Sequence, residues 1–230
     1  MRGEPVDVVR CETKNIYVPV ETELVIEGRI LPHVKETEGP FGDYQRYYTP
    51  RVESCVVKVD ALTHRREPIY QTILAASIED RSLVPGYPVS AEIYRAVKNV
   101  APRVIDVACW PYVFTAVVKL KKEKETESQQ ALLAGLGAEV RLIKILIVVD
   151  EDIDIYNMEE VMWAVSTRCR PEKILIIPGI PSHPRDPHKL HYGKIGIDAT
   201  MPLEATEELS KTKVVGKERV DIDFYLKNPF

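Results

Sequence analysis

The chain has 230 residues, 45% of them hydrophobic, and its 31 Lys and Arg against 35 Asp and Glu leave a formal net charge of -4. That is enough apolar material for a buried core, while the acidic balance argues against nucleic acid, whose recognition needs a clustered basic surface. No apolar run reaches the roughly 18 residues that span a bilayer and the N-terminus lacks a signal-peptide layout, so the expectation is a cytoplasmic globular protein with no membrane partner.

From Ile16 to Ile30 and from Val52 to Leu62 the residues are rich in Val, Ile and Tyr without helical periodicity, and they read as strands punctuated by Pro19, Gly28 and Pro32. The first sixty residues hold few strands and no clear helix. They are too short to close a sheet or barrel unaided and look like the end of a domain begun elsewhere. Beyond Thr63 strand and helix alternate. Ile69 to Ala76 is a strand candidate, and Ser90 to Val100 a helix with Ile93, Val97 and Val100 on one side. Val104 to Ala108 and Val113 to Leu120 read as strands. The basic run from Lys119 to Lys124 is interleaved with acids and reads as a solvated loop.

Ser128 to Leu136 reads as a helix ended by Gly137, and Leu142 to Val149 as a strand covered on both faces. Asn157 with Glu160 three residues on resembles a helix N-cap, opening a helix through Trp163 and Val165. Lys173 to Ile177 is a short buried strand closed by Pro178-Gly179. This alternation predicts a two-layer or three-layer α/β domain with at least part of its sheet parallel.

Several residues invite chemistry and are weighed against plainer roles. Cys11, Cys55, Cys109 and Cys169 are far apart with no CxxC pair, so they read as structural thiols; arginines on both sides of Cys169 would lower its pKa, but no base accompanies it. His183, His188 and His191 suggest a metal, yet spacings of five and three in a proline-broken loop fit no helical ligand set. Phosphate loops, the G-x-S-x-G elbow and H-E-x-x-H are absent. The run Glu38-Gly-Pro-Phe-Gly-Asp43, followed by Tyr47-Tyr48, is more specific. It sets two carboxylates five positions apart around a turn stiffened by Pro40 and flanked by glycines, as an acid/base pair requires, though such turns also occur as ordinary surface loops.

Six segments taken together resemble the UbiD family of decarboxylases, which use prenylated FMN. They are Val18 to Gly28, Glu38 to Tyr48, Leu62 to Tyr70, Val148 to Pro171, Ile176 to Gly179 and Gly196 to Pro202, and they occur in the family's order. The resemblance covers essentially the whole chain but only the C-terminal half of a typical member. It implies an α/β (α+β) fold: terminal strands of a split β-barrel flavin-binding domain over residues 1–60, with the acidic motif, then an α/β C-terminal domain over 61–202 with a mixed, partly parallel sheet. Residues 203–230 would be a tail making an oligomer contact.

The family's N-terminal half carries most flavin-binding residues, the divalent-metal ligands and a catalytic arginine. The resemblance therefore implies a split enzyme in which a partner polypeptide supplies that half and holds most of the manganese and potassium. A flavin prenyltransferase would supply the cofactor to a homo- or hetero-oligomer. Carried over, Glu38 would orient the partner's arginine, and Asp43 would exchange a proton with the carbon of a small carboxylic acid substrate as CO2 leaves. Burial beside the flavin and Glu38 would raise the proton affinity of Asp43, and the arginine would lower it. Arg168, in the Ser166 to Pro171 segment, would lie at the cofactor's phosphate end beside a monovalent cation, through its side chain or its carbonyl oxygen; by itself, an arginine there would compensate the last carbonyls of a helix. Asp150, Asp152 and Asp154 read as a strand-end turn rather than a calcium cage. Tyr44 and Arg46 depart from the family pattern and are substrate-pocket candidates, with Arg46 equally able to face solvent. The rival reading is a non-catalytic assembly or regulatory subunit derived from such a half.

Overall fold

The computed structural model describes residues 4–109, 111, 114–138, 141–180, 193–205, 211, 212, 216 and 227, with backbone alone at 84 and 85. The chain divides into two compact units, Met1–Pro85 and Gly86–Phe230.

In the first unit, β1 (Val8–Arg10) pairs antiparallel with β2 (Tyr17–Pro19), and β3 (Leu24–Glu38) pairs antiparallel with β4 (Val52–His64). The expected strand from Ile16 to Ile30 is thus two strands separated by a turn, and the second runs on through Pro32 to Glu38. Register shifts after Glu27 and after Ile30 absorb the irregularity, with His33 at φ 62° inside the second. Ile69 to Ala76 pairs with no strand among the described residues; Glu23 accepts the Ile69 N–H at 3.0 Å, and Ile69, Tyr70 and Leu74 are exposed. Its Ile and Leu content mimics a strand, but without a neighbouring strand there is no ladder to form. Ser77 caps the short α1 (Ile78–Arg81), which leads into a π-helical turn over Ser82–Gly86.

The two faces of the β3–β4 hairpin differ sharply. Pairing of Ile26 with Leu62, Gly28 with Val59 and Ile30 with Val57 puts Leu24, Ile26, Ile30, Val57, Val59 and Leu62 on one face. All six are exposed, between 38% and 65%. The opposite face carries Glu27, which is buried and accepts the Glu12 N–H at 2.7 Å, the Thr13 N–H at 2.7 Å and the Thr13 hydroxyl at 2.5 Å. Those donors, the Thr13 hydroxyl first, hold Glu27 below the usual carboxylate range. Asp60, the residue skipped at the bulge, pairs with Lys14 and Arg29. The turn between β1 and β2 is therefore tied to the polar face, and the aliphatic face is left bare.

The second unit is a five-stranded mixed sheet in the order β5 (Val104–Ala108), β6 (Thr115–Leu120), β7 (Ile145–Asp150), β9 (Gly193–Ala199), β8 (Ile174–Pro178). β6, β7 and β9 are mutually parallel, and the edge strands β5 and β8 are antiparallel to their neighbours. α2 (Tyr87–Lys98) and α3 (Glu127–Ala138) cover one face, where Ile93, Val97, Leu132 and Leu136 meet Val118, Leu146 and Val148. α4 (Met158–Arg168) covers the other, where Val161 and Ala164 meet Val117, Ile147 and Val149. The near-continuous apolar run of β7 is the signature of a strand buried on both sides.

The helix read as ending at Gly137 continues to Ala138, and its packing depends on a different glycine. A Cβ on Gly135 would come within 2.6 Å of Leu146 Cδ2, so the absent side chain lets α3 sit close on the sheet. Asn157 caps α4 by accepting the Glu159 N–H at 3.0 Å; Glu160 accepts the Asp154 N–H at 3.0 Å instead of completing a capping box. The strand β9 has no reading of its own in the sequence pattern, yet it lies between β7 and β8.

At the carboxyl end of β9, Asp198 is fully buried. It accepts from the Ser128 hydroxyl at 2.7 Å and from the Thr200 hydroxyl and N–H at 2.7 and 3.0 Å, and Lys173 lies at 3.3 Å. Lys122 donates beside it to Thr200 at 3.1 Å and to the Met201 carbonyl at 2.6 Å. Replacing Asp198 removes the acceptor of the Ser128 and Thr200 hydroxyls and the charge partner of Lys173. Asp198→Ala is expected to destabilise the second unit by about 3 kcal/mol. Both tryptophans, Trp110 and Trp163, fall in this unit, so denaturation followed by tryptophan fluorescence reads the effect. An unchanged midpoint would contradict the network's role.

Candidate active site

Glu38 is the last residue of β3, and there the chain leaves the sheet through Gly39. Gly39 has φ 88°, a conformation that side chains resist, and the Gly39-Pro40 peptide is cis. The chain then folds back on itself. Phe41 and Thr49 are joined by three bonds: the Thr49 N–H donates to the Phe41 carbonyl at 2.8 Å, the Phe41 N–H to the Thr49 hydroxyl at 3.3 Å, and that hydroxyl to the Phe41 carbonyl at 3.2 Å. Gly42 bridges Tyr48, and the Asp43 N–H donates to the Tyr47 carbonyl at 3.1 Å. A four-residue turn closes the tip, with the Arg46 N–H donating to the Asp43 carbonyl at 2.9 Å and Arg46 at φ 66°. The rigidity expected from Gly39, Pro40 and Gly42 thus has a further source, the buried Thr49, which no sequence pattern singles out.

Within this loop each candidate has a definite place. Glu38 is exposed and its Oε2 accepts from the Ser54 hydroxyl at 2.5 Å. Asp43 is half-buried at the first position of the turn, with Oδ1 accepting the Tyr44 N–H at 2.8 Å. Tyr44 is half-buried and its hydroxyl accepts from Gln45 Nε2 at 3.4 Å; Gln45 is buried and Arg46 exposed. Phe41, Tyr47 and Tyr48 are all exposed. The braced loop thus carries one carboxylate and three exposed aromatic rings, with a second carboxylate, Glu38, at the strand end that leads into it. The site is open in this chain. A cavity of about 220 Å³ in the same unit is lined by Arg10, Cys11, Glu27 and His64 among others, and by no residue of the acidic loop.

Arg168 belongs to the second unit, and its guanidinium is already occupied. It donates to Asp150 Oδ2 at 2.7 Å and, as a fork, to Asp152 Oδ1 and Oδ2 at 2.8 and 2.6 Å, with its carbon 4.9 Å from the centre of the Trp163 ring. Asp150 also accepts the Met201 N–H at 2.8 Å. The aspartates therefore clamp the end of α4 to the turn after β7, a strand-end role and not a cation cage. The Arg168 side chain is a brace between elements, its guanidinium meeting Asp150 and Asp152 rather than the last carbonyls of its helix. Among the described residues no three His, Cys, Asp or Glu side chains are grouped to hold a metal. His183, His188 and His191 lie outside those residues. Cys169 does not follow its flanking arginines: burial first, then Asp198 and Glu172, push its thiol up. Burial also takes Cys109 to about 11, so neither reads as a ready nucleophile. No helix of the described residues is long and apolar enough to cross a membrane.

Comparison with known proteins decides the family. Residues 1–78 match the Rift-related domain, and residues 82–199 the C-terminal domain, of 3-octaprenyl-4-hydroxybenzoate carboxy-lyase. The chain belongs to the UbiD family. An anhydromevalonate phosphate decarboxylase of Methanothermobacter thermautotrophicus is 38% identical over 215 residues, which are 89% of this chain and 49% of that protein. A phenolic acid decarboxylase of Sedimentibacter hydroxybenzoicus is 32% identical over 222 residues, 93% of this chain and 46% of the relative. Among solved structures, the UbiD-class enzyme HmfF from Pelotomaculum thermopropionicum in complex with FMN superposes with a TM-score of 0.89 at 37% identity, covering 97% of this chain and 51% of HmfF. An evolved dimeric HmfF in complex with prFMN gives 0.82 at 37% identity, covering 97% and 49%. The chain spans about half the length of the relatives it matches, and the Methanothermobacter and Sedimentibacter relatives are decarboxylases.

The Arg168 clamp makes a pH prediction. Arg168 donates to Asp152 and holds it below the usual carboxylate range, so the folded value lies below the unfolded one. Its contribution is complete above the unfolded value and lost as pH falls through the folded one. Asp150 is pushed up by burial and slopes the other way. Because Asp152 is 39% exposed, its share is about 1 kcal/mol at most. Asp152→Asn is expected to lower stability at pH 7 and to flatten the decline below about pH 4, followed by tryptophan fluorescence. A variant declining as steeply as the parent would contradict the clamp.

Proposed function

We propose that this chain is the C-terminal subunit of a UbiD-like carboxy-lyase that reversibly decarboxylates an aromatic or α,β-unsaturated carboxylic acid with prenylated FMN. A second polypeptide supplies the first half of the enzyme. The observation that carries the reading is the acidic run within the matched Rift-related domain, with Glu38 at the end of β3 and Asp43 on the braced loop that follows. A scaffold has no use for two carboxylates at a turn this firmly built, and that weighs against a non-catalytic assembly or regulatory subunit.

When bound, the prenylated flavin supplies the electron sink for the carbon that loses CO2. This chain manages one proton. Asp43 gives it to the substrate carbon as CO2 departs and takes it back in the carboxylation direction. Glu38 orients an arginine from the other half of the enzyme. Tyr44 and Arg46, at the tip of the same loop, line the substrate pocket, with Tyr44 stacking on a planar acid and Arg46 meeting an anionic group. Toward the cofactor's phosphate end, Arg168 contributes through its backbone carbonyl, since its guanidinium is committed to Asp150 and Asp152. Manganese and potassium belong mainly to the partner, and a flavin prenyltransferase supplies the cofactor.

The bare aliphatic face of β3–β4 supports the two-polypeptide arrangement. Two strands cannot shelter six exposed aliphatic side chains between them, and the unmatched half of the relatives is the natural cover. Co-expression with a polypeptide matching that half is expected to yield a complex that retains flavin and releases CO2 from its acid substrate. Asp43→Asn should keep the flavin and lower kcat by about 10²–10⁴-fold. Unchanged turnover would remove Asp43 from the mechanism. Ile26→Asp with Val59→Asp should abolish co-purification, and a complex that survives both would place the partner elsewhere.

A further inference from the structure

We propose that Ser54 is a positioning residue that sets the carboxylate of Glu38 for the reaction proposed above, on which this inference rests. The register of β3 and β4 pairs Glu36 with Ser54 and Glu38 with Val52, so Glu38 and Ser54 are diagonal neighbours on one face of the hairpin. The Ser54 hydroxyl donates to Glu38 Oε2 at 2.5 Å. A glutamate has three rotatable side-chain bonds, and an exposed one at a strand end samples several rotamers. A donor fixed on the neighbouring strand selects one of them. With Oε2 turned to Ser54, Oε1 is the atom presented to the arginine of the other half.

The location makes this more than a surface pair. Glu38 is the last residue before the chain turns out at Gly39, so the bond holds the carboxylate where the sheet ends and the acidic loop begins. On the opposite face one residue earlier, the Thr37 hydroxyl donates to Glu53 Oε1 at 2.8 Å. That pair is the same kind of bond on the same two strands and serves as an internal control.

The test uses the flavin-loaded two-subunit enzyme with Ser54→Ala, Ser54→Thr, Thr37→Ala, Glu38→Gln and the Ser54→Ala, Glu38→Gln double variant. Ser54→Ala is expected to lower kcat by about 5–30-fold with KM and flavin content unchanged, since a misplaced group costs rate without costing binding. Ser54→Thr restores the hydroxyl and most of the rate. Thr37→Ala leaves turnover unchanged. In the Glu38→Gln background Ser54→Ala has no further effect, the non-additivity of residues acting through one another. In the flavin-free complex, a ¹³C-labelled Glu38 side chain should show one rotamer in the parent and in Ser54→Thr, and averaging in Ser54→Ala. Turnover at the parent rate in Ser54→Ala while Glu38→Gln is impaired would overturn the inference and leave the proposed function standing, as would additivity in the double variant. Parent-like turnover in Glu38→Gln would overturn both.

Discussion

A sheet of two strands has nowhere to put an apolar face, and this constraint governs the first unit. The β1–β2 turn is tied by Thr13 and Lys14 to Glu27 and Asp60 on the polar side of β3–β4. The other side presents six aliphatic side chains to solvent. Burial of a Val, Leu or Ile side chain is worth about 1.5–3 kcal/mol, so an uncovered face of this size is a strong drive for association. The second unit has helices on both faces of its sheet and a dense polar network at the end of β9, and the exposed aliphatic side chains on its sheet include Ile174, Ile176 and Ile195 at the β8 edge. The chain thus joins a two-sided core to a hairpin with one uncovered face.

That asymmetry bears on the proposed chemistry. The acidic loop springs from the end of β3 in the incomplete unit, and its rigidity comes from backbone bonds between Phe41, Asp43, Tyr47 and Thr49 and from the positive φ of Gly39. Such a loop keeps its shape without support from a surrounding core. Asp43 can therefore be held in position on an open surface, as the proposed function requires. The Arg168 clamp plays a comparable part in the second unit, fixing the end of α4 with charge-assisted bonds.

Much of the second unit was legible in the sequence because its signals are local. The continuous apolar run of β7, the Asn157 cap and the amphipathic α2 each carry a pattern within ten or so residues. The strand β9 was not legible, since Gly193, Lys194 and Gly196 dilute its apolar content and only pairing with β7 and β8 makes it a strand. Ile69 to Ala76 failed in the opposite sense, with strand-like composition and no partner strand among the described residues. In the candidate site, Glu38 and Asp43 were legible through a motif, whereas Thr49 and Ser54 were not, because their roles depend on register across the hairpin. The side-chain partners of Arg168 were equally hidden: its place after a helix suggests compensation of the last carbonyls, and only folding brings Asp150 and Asp152 to its guanidinium.

The claim that the aliphatic face of β3–β4 is an internal surface of the working enzyme is tested most directly by side-chain oxidative footprinting. Leu24, Ile26, Ile30, Val57, Val59 and Leu62 would be compared in the isolated chain and in the catalytically active assembly. The account predicts that these residues label readily in the isolated chain and become protected in the active enzyme, while exposed Leu133 on α3 labels alike in both. Equal labelling of the six in an enzyme that turns over its substrate would contradict it.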